Sequence, residues 1–399
     1  MAKIAVLGYG TVGSGIVEVL NTNKELIRER VGEAIDVKYI LDLREFPGDP
    51  YESLVTHDFD AIAADPEVSV VCEAMGGTGA AYKFTKACLE AGKSVCTSNK
   101  ALVAEYGTEL MRIAKDKNCS YLFEASCGGG IPIIRPIRSS LCPERILAIK
   151  GILNGTTNYI LTRMEQEGAD FADVLKQAQE LGYAEADPTA DIEGHDACRK
   201  IAILSSLAYG KTVYYQDVET EGITKITTDD FAYMKQIGAT IKLLGMSKEV
   251  NGAYYAQVAP FVLKKTNPLY SVNGVMNAIL VTGNTLGDTM YYGAGAGSLP
   301  TASAVVSDVM ECVMTKGETI DSHWSEEKLA LSPLDGATRP FFVRVKERAE
   351  ADIKAAFGEV KFLEPIAGET AFITAELSEA AFKKAAAEFE VISFLRVED

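Results

Sequence analysis

The stretch KIAVLGYGTVGSGIVEVLNTN, residues 3–23, reads as a short apolar run, a glycine-punctuated turn and a segment whose apolar positions recur at helical spacing. A strand that enters a helix through GxGxxG has the form of a phosphate-binding turn. Gly8 permits the tight turn, Gly10 lets the backbone approach a pyrophosphate, and Gly13 allows close packing of helix on strand. Any glycine-rich turn can carry such a pattern. Its position after the first strand and before an amphipathic helix is what favours a dinucleotide, with the helix N-terminus facing the phosphates.

Working outward, VKYILDL at 37–43, VSVVCEAMGG at 68–77, KSVCTSNK at 93–100 and SYLFEAS at 120–126 are further strand patterns, with helical patterns such as YKFTKACLEAG between them. Strands alternating with helices predict an α/β, doubly wound parallel sheet over residues 1–135. The second strand ends in Asp42 and Arg44. An acid there suits the ribose hydroxyls of NAD and an arginine the extra phosphate of NADP, so both cofactors stay open, as does a surface ion pair.

After residue 135 the rhythm changes. A strand and loop, ILAIKGILNG at 146–155, precede helices near 156–166 and 170–181, and AYYAQVAPFVL at 253–263 and NAILVTG at 277–283 read as strands of an α+β domain over 136–292. A glycine loop, YYGAGAGSLPT, leads into another helix, and residues 293–320 complete the first domain. The polar segment 321–339 reads as a linker. Residues 340–399 then run βαββαβ, a ferredoxin-like order.

A chain of 399 residues, 47% hydrophobic and 24% charged, is long enough for two or three domains. Its formal charge of −17 argues against a nucleic-acid surface, which needs clustered Lys and Arg. No apolar run approaches the roughly 20 residues of a membrane helix. The start MAKIAVLGYG lacks a secretory pattern, so the expected location is cytoplasmic. Eight cysteines occur without CxxC pairs and without ligand-like spacing to His57, His195 or His323, and most are expected to be reduced core residues.

The second informative stretch is LGYAEADPTADIEGHDACRKIA, residues 181–202. Asp196 and Lys200 are four apart and share a helix face, on a helix apolar nearly all round beyond the lysine. A surface ion pair would fit the spacing, but burial of that helix favours a pair poised to pass a proton. The preceding carboxylates suit a cationic group on a small substrate. Asp187 before Pro188 is better read as turn chemistry, and Glu193 as a first-turn acid. Asp191 also fits an N-cap, whereas Glu185, in a loop after Gly182, lacks a structural explanation.

The chain resembles the homoserine dehydrogenase family over residues 1–320, through GYGTVGSG, VVCEAMGG, GKSVCTSNKALVAEYG, FEASCGGGIPII, GILNGTTNYIL, LGYAEADPTADIEGHDACRKIAIL, EGITKIT and GAGAGSLPTASAVVSD. The resemblance implies a Rossmann-type nucleotide domain, a substrate and dimerisation domain, and NAD(P)-dependent interconversion of L-homoserine and L-aspartate 4-semialdehyde. It implies Lys200 as proton donor, Asp196 at the hydroxyl end of the substrate and Lys100 as a second lysine at the reaction centre. Glu185 and Asp191 would hold the amino end, with Tyr183 and Thr156 lining the site. Gly182, Gly297, Thr11 and Val12 would meet the cofactor beside Gly8, Gly10, Gly13 and Arg44. A sodium-like site maps to Glu124, Cys127, Gly129 and Ile131, where a flexible interdomain hinge is the alternative.

Two departures from the family pattern stand out. His195 occupies a position where relatives more often carry an apolar or aromatic residue, and no chemistry is assigned to it. The tail resembles an ACT-type regulatory module but reads VKERAEADIKAAFG where such modules carry an Asp and a Pro-Gly pair, which points away from threonine feedback and toward a structural role. Two other functions compete with the dehydrogenase: an oxidoreductase for a related amino acid, and a non-catalytic amino-acid sensor. Retention of both Lys100 and Lys200 argues against the sensor.

Overall fold

Six parallel strands run through the first part of the chain because their segments are apolar on both faces, the pattern of a sheet covered by helices on each side. They are β1 Ala2–Leu7, β2 Ile35–Leu41, β3 Val55–Thr56, β4 Val68–Glu73, β5 Ser94–Thr97 and β6 Tyr121–Leu122, in the order β3-β2-β1-β4-β5-β6. The order reverses at β1, the switch point where doubly wound sheets bind ligands. The structure, a computed structural model, describes residues 1–316, 318–366 and 368–398. Residues 1–145, 202–215 and 291–329 form one unit, and residues 146–201, 216–290 and 330–399 the other.

In the first unit the helix Thr11–Thr22 lays Ile16, Val17 and Leu20 into the core, against Val305 and Val309 of the helix Ser298–Met314. The two helices approach closely at Gly15, where a Cβ would come within 2.7 Å of the Ser298 hydroxyl. The unit thus includes residues 136–145 and reaches residue 329, beyond the limits read from sequence. Part of the segment expected to be a linker is ordered structure: Ser325–Lys328 pairs in parallel with Lys211–Thr212, and Trp324 donates its indole N–H to Thr212 at 3.0 Å.

The second unit is built on one long mixed sheet. Its strands, in spatial order, are Gly287–Ala294, Met276–Gly283, Ile146–Ile152, Ala239–Val250, Ala253–Lys264, Val391–Glu398, Phe341–Lys346, Glu369–Thr374 and Val360–Phe362, with Glu219–Thr220 also paired to Ala253–Lys264. The two longest form a hairpin around Asn251 and Gly252, both at positive φ (52° and 82°), the backbone a two-residue hairpin turn demands.

The tail has the βαββαβ order, and its four strands lie in the spatial order fourth, first, third, second. Phe341, Phe357, Phe372 and Phe382 fill its core, with the Phe341 and Phe382 rings stacked at 4.1 Å. Its sheet is continuous with that of the preceding strands, because Val391–Glu398 pairs in parallel with Ala253–Lys264. The tail therefore differs from a separate module on a linker. The buried Arg344 reinforces the join, bonding Asp230 at 2.8 Å on the helix Thr228–Ile237 and Glu369 at 2.8 Å within the tail.

Candidate active site

Polar groups gather in both units. In the first, Gly8 turns the chain at φ 91°, where a Cβ would meet the Ala74 carbonyl oxygen at 2.9 Å, so β1 and β4 come together at their carboxyl ends. A Cβ on Gly13 would collide with the Gly8 carbonyl oxygen, and one on Gly10 would meet nothing within 4 Å. The loop is therefore tight where it packs and open at Gly10, a cradle that fits a dinucleotide. Gly10 is the N-cap of Thr11–Thr22 and supplies no side-chain cap, so the N–H groups of the first turn suit phosphate oxygens. Gly297 heads the helix Ser298–Met314, and the Ser298 hydroxyl donates to the Thr11 carbonyl at 2.5 Å, which brings Gly297 beside this first turn.

A cleft of about 540 Å³ opens from the loop, lined by Gly8, Gly10, Asp42, Arg44, His57 and Met75 among others. The Asp42 carboxylate accepts from the Tyr9 N–H at 2.8 Å and from the Arg44 guanidinium at 2.9 Å on each oxygen. The Arg44 guanidinium beside it holds the Asp42 carboxyl well below the usual carboxylate range. His57 shares a hydrogen bond with Glu45 at 2.8 Å, and that carboxylate raises its pKa. Sequence reading found Asp42 and Arg44 but not this partner histidine, whose only signal is its contact across the sheet edge.

At the ends of β4 and β5, Glu73 is fully buried and accepts from the Thr97 hydroxyl at 2.5 Å and the Met75 N–H at 2.8 Å. Burial pushes its carboxyl up to about 7. Thr97 in turn accepts from the Asn99 N–H at 2.9 Å, and the Asn99 side chain caps the helix Lys100–Asp116 by accepting from Leu102 N–H at 3.0 Å. Lys100 is thus the first residue of a helix whose entry is tied to a buried carboxyl.

The Glu124 carboxylate, expected from the resemblance at a cation site, lies elsewhere in this unit and is buried. It accepts three backbone N–H bonds, from Ile133 at 2.6 Å, Ile134 at 2.8 Å and Arg135 at 2.6 Å. Two of these bonds fall on Oε1 and one on Oε2, so the turn that follows the glycine run is anchored on this buried carboxylate. Gly129 is at positive φ (57°), and Cys127 and Ile131 are buried; backbone carbonyls of this segment are of the oxygen type that suits such an ion. Among the described residues no group of three or more His, Cys, Asp and Glu could hold a metal.

In the second unit the acidic cluster closes around Lys200. Its ammonium donates to Asp196 Oδ2 at 2.7 Å and to the Leu153 carbonyl at 2.7 Å, and both Lys200 and Asp196 are buried. The i, i+4 spacing on the helix His195–Tyr209 sets this pair. Asn154, not singled out from sequence, donates one amide nitrogen to Asp191 at 2.8 Å and to Asp196 at 2.9 Å. Thr156 donates to the Tyr183 carbonyl at 2.6 Å, and the Tyr183 ring packs 5.0 Å from Tyr159.

Other residues of the stretch separate from that cluster. Asp187 accepts from the Thr189 N–H at 3.1 Å and hydroxyl at 2.6 Å, the turn role expected of it, and these bonds lower its pKa. Glu185 is exposed on the loop, and Gly182, at φ 75°, ends the helix Phe171–Glu180. His195 is exposed at the start of its helix. All eight cysteines are free thiols, and among the described residues no helix is long and apolar enough to cross a membrane.

Two family profiles match the chain: "Homoserine dehydrogenase, NAD binding domain" over residues 8–124 and "Homoserine dehydrogenase" over residues 132–310. A homoserine dehydrogenase of Synechocystis sp. is 47% identical over 351 residues, covering 86% of this chain and 79% of that one. One from Neisseria gonorrhoeae is 39% identical over 407 residues, covering 99% and 92%. Among solved structures, a homoserine dehydrogenase from Thiobacillus denitrificans superimposes with a TM-score of 0.91 at 35% identity, covering 100% of this chain and 98% of that one. A hyperthermophilic archaeal homoserine dehydrogenase in complex with NADPH superimposes with a TM-score of 0.67 at 28% identity, covering 79% and 98%.

Proposed function

The chain belongs to the homoserine dehydrogenase family, and on that premise we propose how its own residues divide the reaction. It is an NAD(P)-dependent oxidoreductase acting on a CH–OH group, interconverting L-aspartate 4-semialdehyde and L-homoserine in the biosynthesis of threonine, methionine and isoleucine. When bound, the nicotinamide supplies the hydride to the aldehyde carbon or takes it back from the alcohol.

Reduction leaves negative charge on the former carbonyl oxygen, and that oxygen needs a proton and a nearby cation. Lys200 is the donor. Its ammonium is buried, held by Asp196 at 2.7 Å and by the Leu153 carbonyl, so it is aimed before the substrate arrives; this pair is the observation that carries the reading. Asp196 orients the hydroxyl end, and Lys100 adds a second positive charge at the reacting carbon. Glu185 and Asp191 take the substrate ammonium, with Tyr183 and Thr156 lining the site. The cofactor is held by Gly8, Gly10, Thr11, Val12 and Gly13, by Arg44 at the adenosine end, and by Lys100, Gly182 and Gly297 nearer the nicotinamide. A monovalent cation, if bound, lies at Glu124 and the carbonyl oxygens of Cys127, Gly129 and Ile131, and no step depends on it. The same reading carries a homodimer built through the second unit and a cytoplasmic location.

Oxidation of NADH and of NADPH by the purified protein, each with L-aspartate 4-semialdehyde and with and without threonine, tests the assignment. Turnover of at least one cofactor is expected, and the ratio between them reads the balance of Asp42 against Arg44. No oxidation of either cofactor with the semialdehyde would overturn it.

A further inference from the structure

Asn154 follows the strand Ile146–Ile152 and caps the helix Gly155–Glu167, its side-chain oxygen accepting from the Thr157 N–H at 2.9 Å. A cap needs only that oxygen, and Ser or Asp would supply one equally well. The amide nitrogen is spent differently. It donates to Asp191 Oδ1 at 2.8 Å and to Asp196 Oδ2 at 2.9 Å, and Asp196 Oδ2 is also the acceptor of the Lys200 ammonium. The residue before it, Leu153, takes a second Lys200 hydrogen bond on its carbonyl.

Two carboxylates brought this close repel, and a neutral amide with two N–H groups joins them without cancelling either charge. Both remain anionic acceptors for a substrate. We propose that Asn154 is a positioning residue, which sets the spacing between the carboxylate that takes the substrate's ammonium and the Asp196–Lys200 pair that serves its oxygen. This deepens the functional reading above and rests on it. Asn154 acts through Asp191, Asp196 and Lys200, so its removal disturbs substrate affinity and turnover together while cofactor binding persists.

The test compares Asn154→Ser and Asn154→Asp with the parent enzyme, measuring kcat and KM for L-aspartate 4-semialdehyde, NADPH affinity by fluorescence, and the folded fraction. Both substitutions keep a good N-cap. Asn154→Ser cannot bridge two carboxylates, and a misplaced site of this kind is expected to lose roughly 10- to 100-fold in kcat/KM. Asn154→Asp turns the bridge into a third negative charge, and a larger loss is expected. Parent-like kcat and KM in both variants would overturn the proposal, as would losses that merely track lost folded protein, which assign Asn154 to the helix cap alone. Absence of turnover by the parent enzyme would instead sink the functional reading itself.

Discussion

Two lysines lie buried in the second unit, Lys200 on the helix His195–Tyr209 and Lys242 in the strand Ala239–Val250. Lys242 donates to three neutral acceptors, the Val272 carbonyl at 2.7 Å, Asn273 Oδ1 at 2.9 Å and Asn158 Oδ1 at 3.1 Å, with Glu165 acting on it only electrostatically. Three acceptors match its three protons, and burial without a bonded carboxylate pushes its pKa down to about 8. Lys200 instead bonds a carboxylate, Asp196 Oδ2 at 2.7 Å, as well as the Leu153 carbonyl at 2.7 Å, at the edge of a cluster that also contains Asp191. Burial alone therefore does not make a lysine an acid catalyst. On the proposed reading the difference lies in the partner: Asp196 ties Lys200 to the carboxylates assigned to the substrate, whereas the neutral oxygens around Lys242 tie that lysine to the fold.

Exchanging the two lysines' circumstances gives the sharpest contrasts. The largest effect belongs to Lys200→Met, which is expected to lower kcat by about 10²- to 10⁴-fold while NADPH binding persists. Lys242→Met should leave turnover per folded molecule near that of the parent and instead lower the unfolding free energy by about 1–3 kcal/mol, read by denaturant titration, because three buried acceptors lose their donor. Since the folded pKa of Lys242 lies at about 8, below the ordinary 10.5, the folded state binds fewer protons than the unfolded between those values. Stability of the parent relative to Lys242→Met should accordingly rise with pH from about 8 to 10.5, by up to about 3 kcal/mol, and the gain should vanish below pH 8. The smallest effect is expected from Asn273→Asp. A carboxylate 2.9 Å from the Lys242 ammonium imitates the setting of Lys200 and should move that alkaline rise upward by about 1 pH unit.

The sequence disclosed those features whose parts lie close together along the chain. GYGTVG, the alternating strands up to residue 126 and the Asp196–Lys200 pair are all local patterns, and each forms the element its spacing predicts. Asn154 was hidden because its carboxylate partners lie 37 and 42 residues away and nothing local requires an amide instead of a hydroxyl cap. The structural part of Glu124 was hidden for a related reason: the three N–H groups it accepts come from the following turn, 9 to 11 residues on. The strand Ala239–Val250 went unnoticed although Asn251–Gly252 marks its hairpin, since KLLGMSKEV alternates poorly when both faces are buried. The union of the tail with the main sheet rests on Phe261 meeting Arg396, a pairing no local pattern reveals.

The proton assigned to Lys200 is tested most directly by kcat for semialdehyde reduction in the parent enzyme and in Lys200→Met, measured beside NADPH affinity. A fall in kcat of about 10²- to 10⁴-fold with unchanged NADPH affinity is predicted. Turnover by the variant at the parent's rate would contradict the assignment.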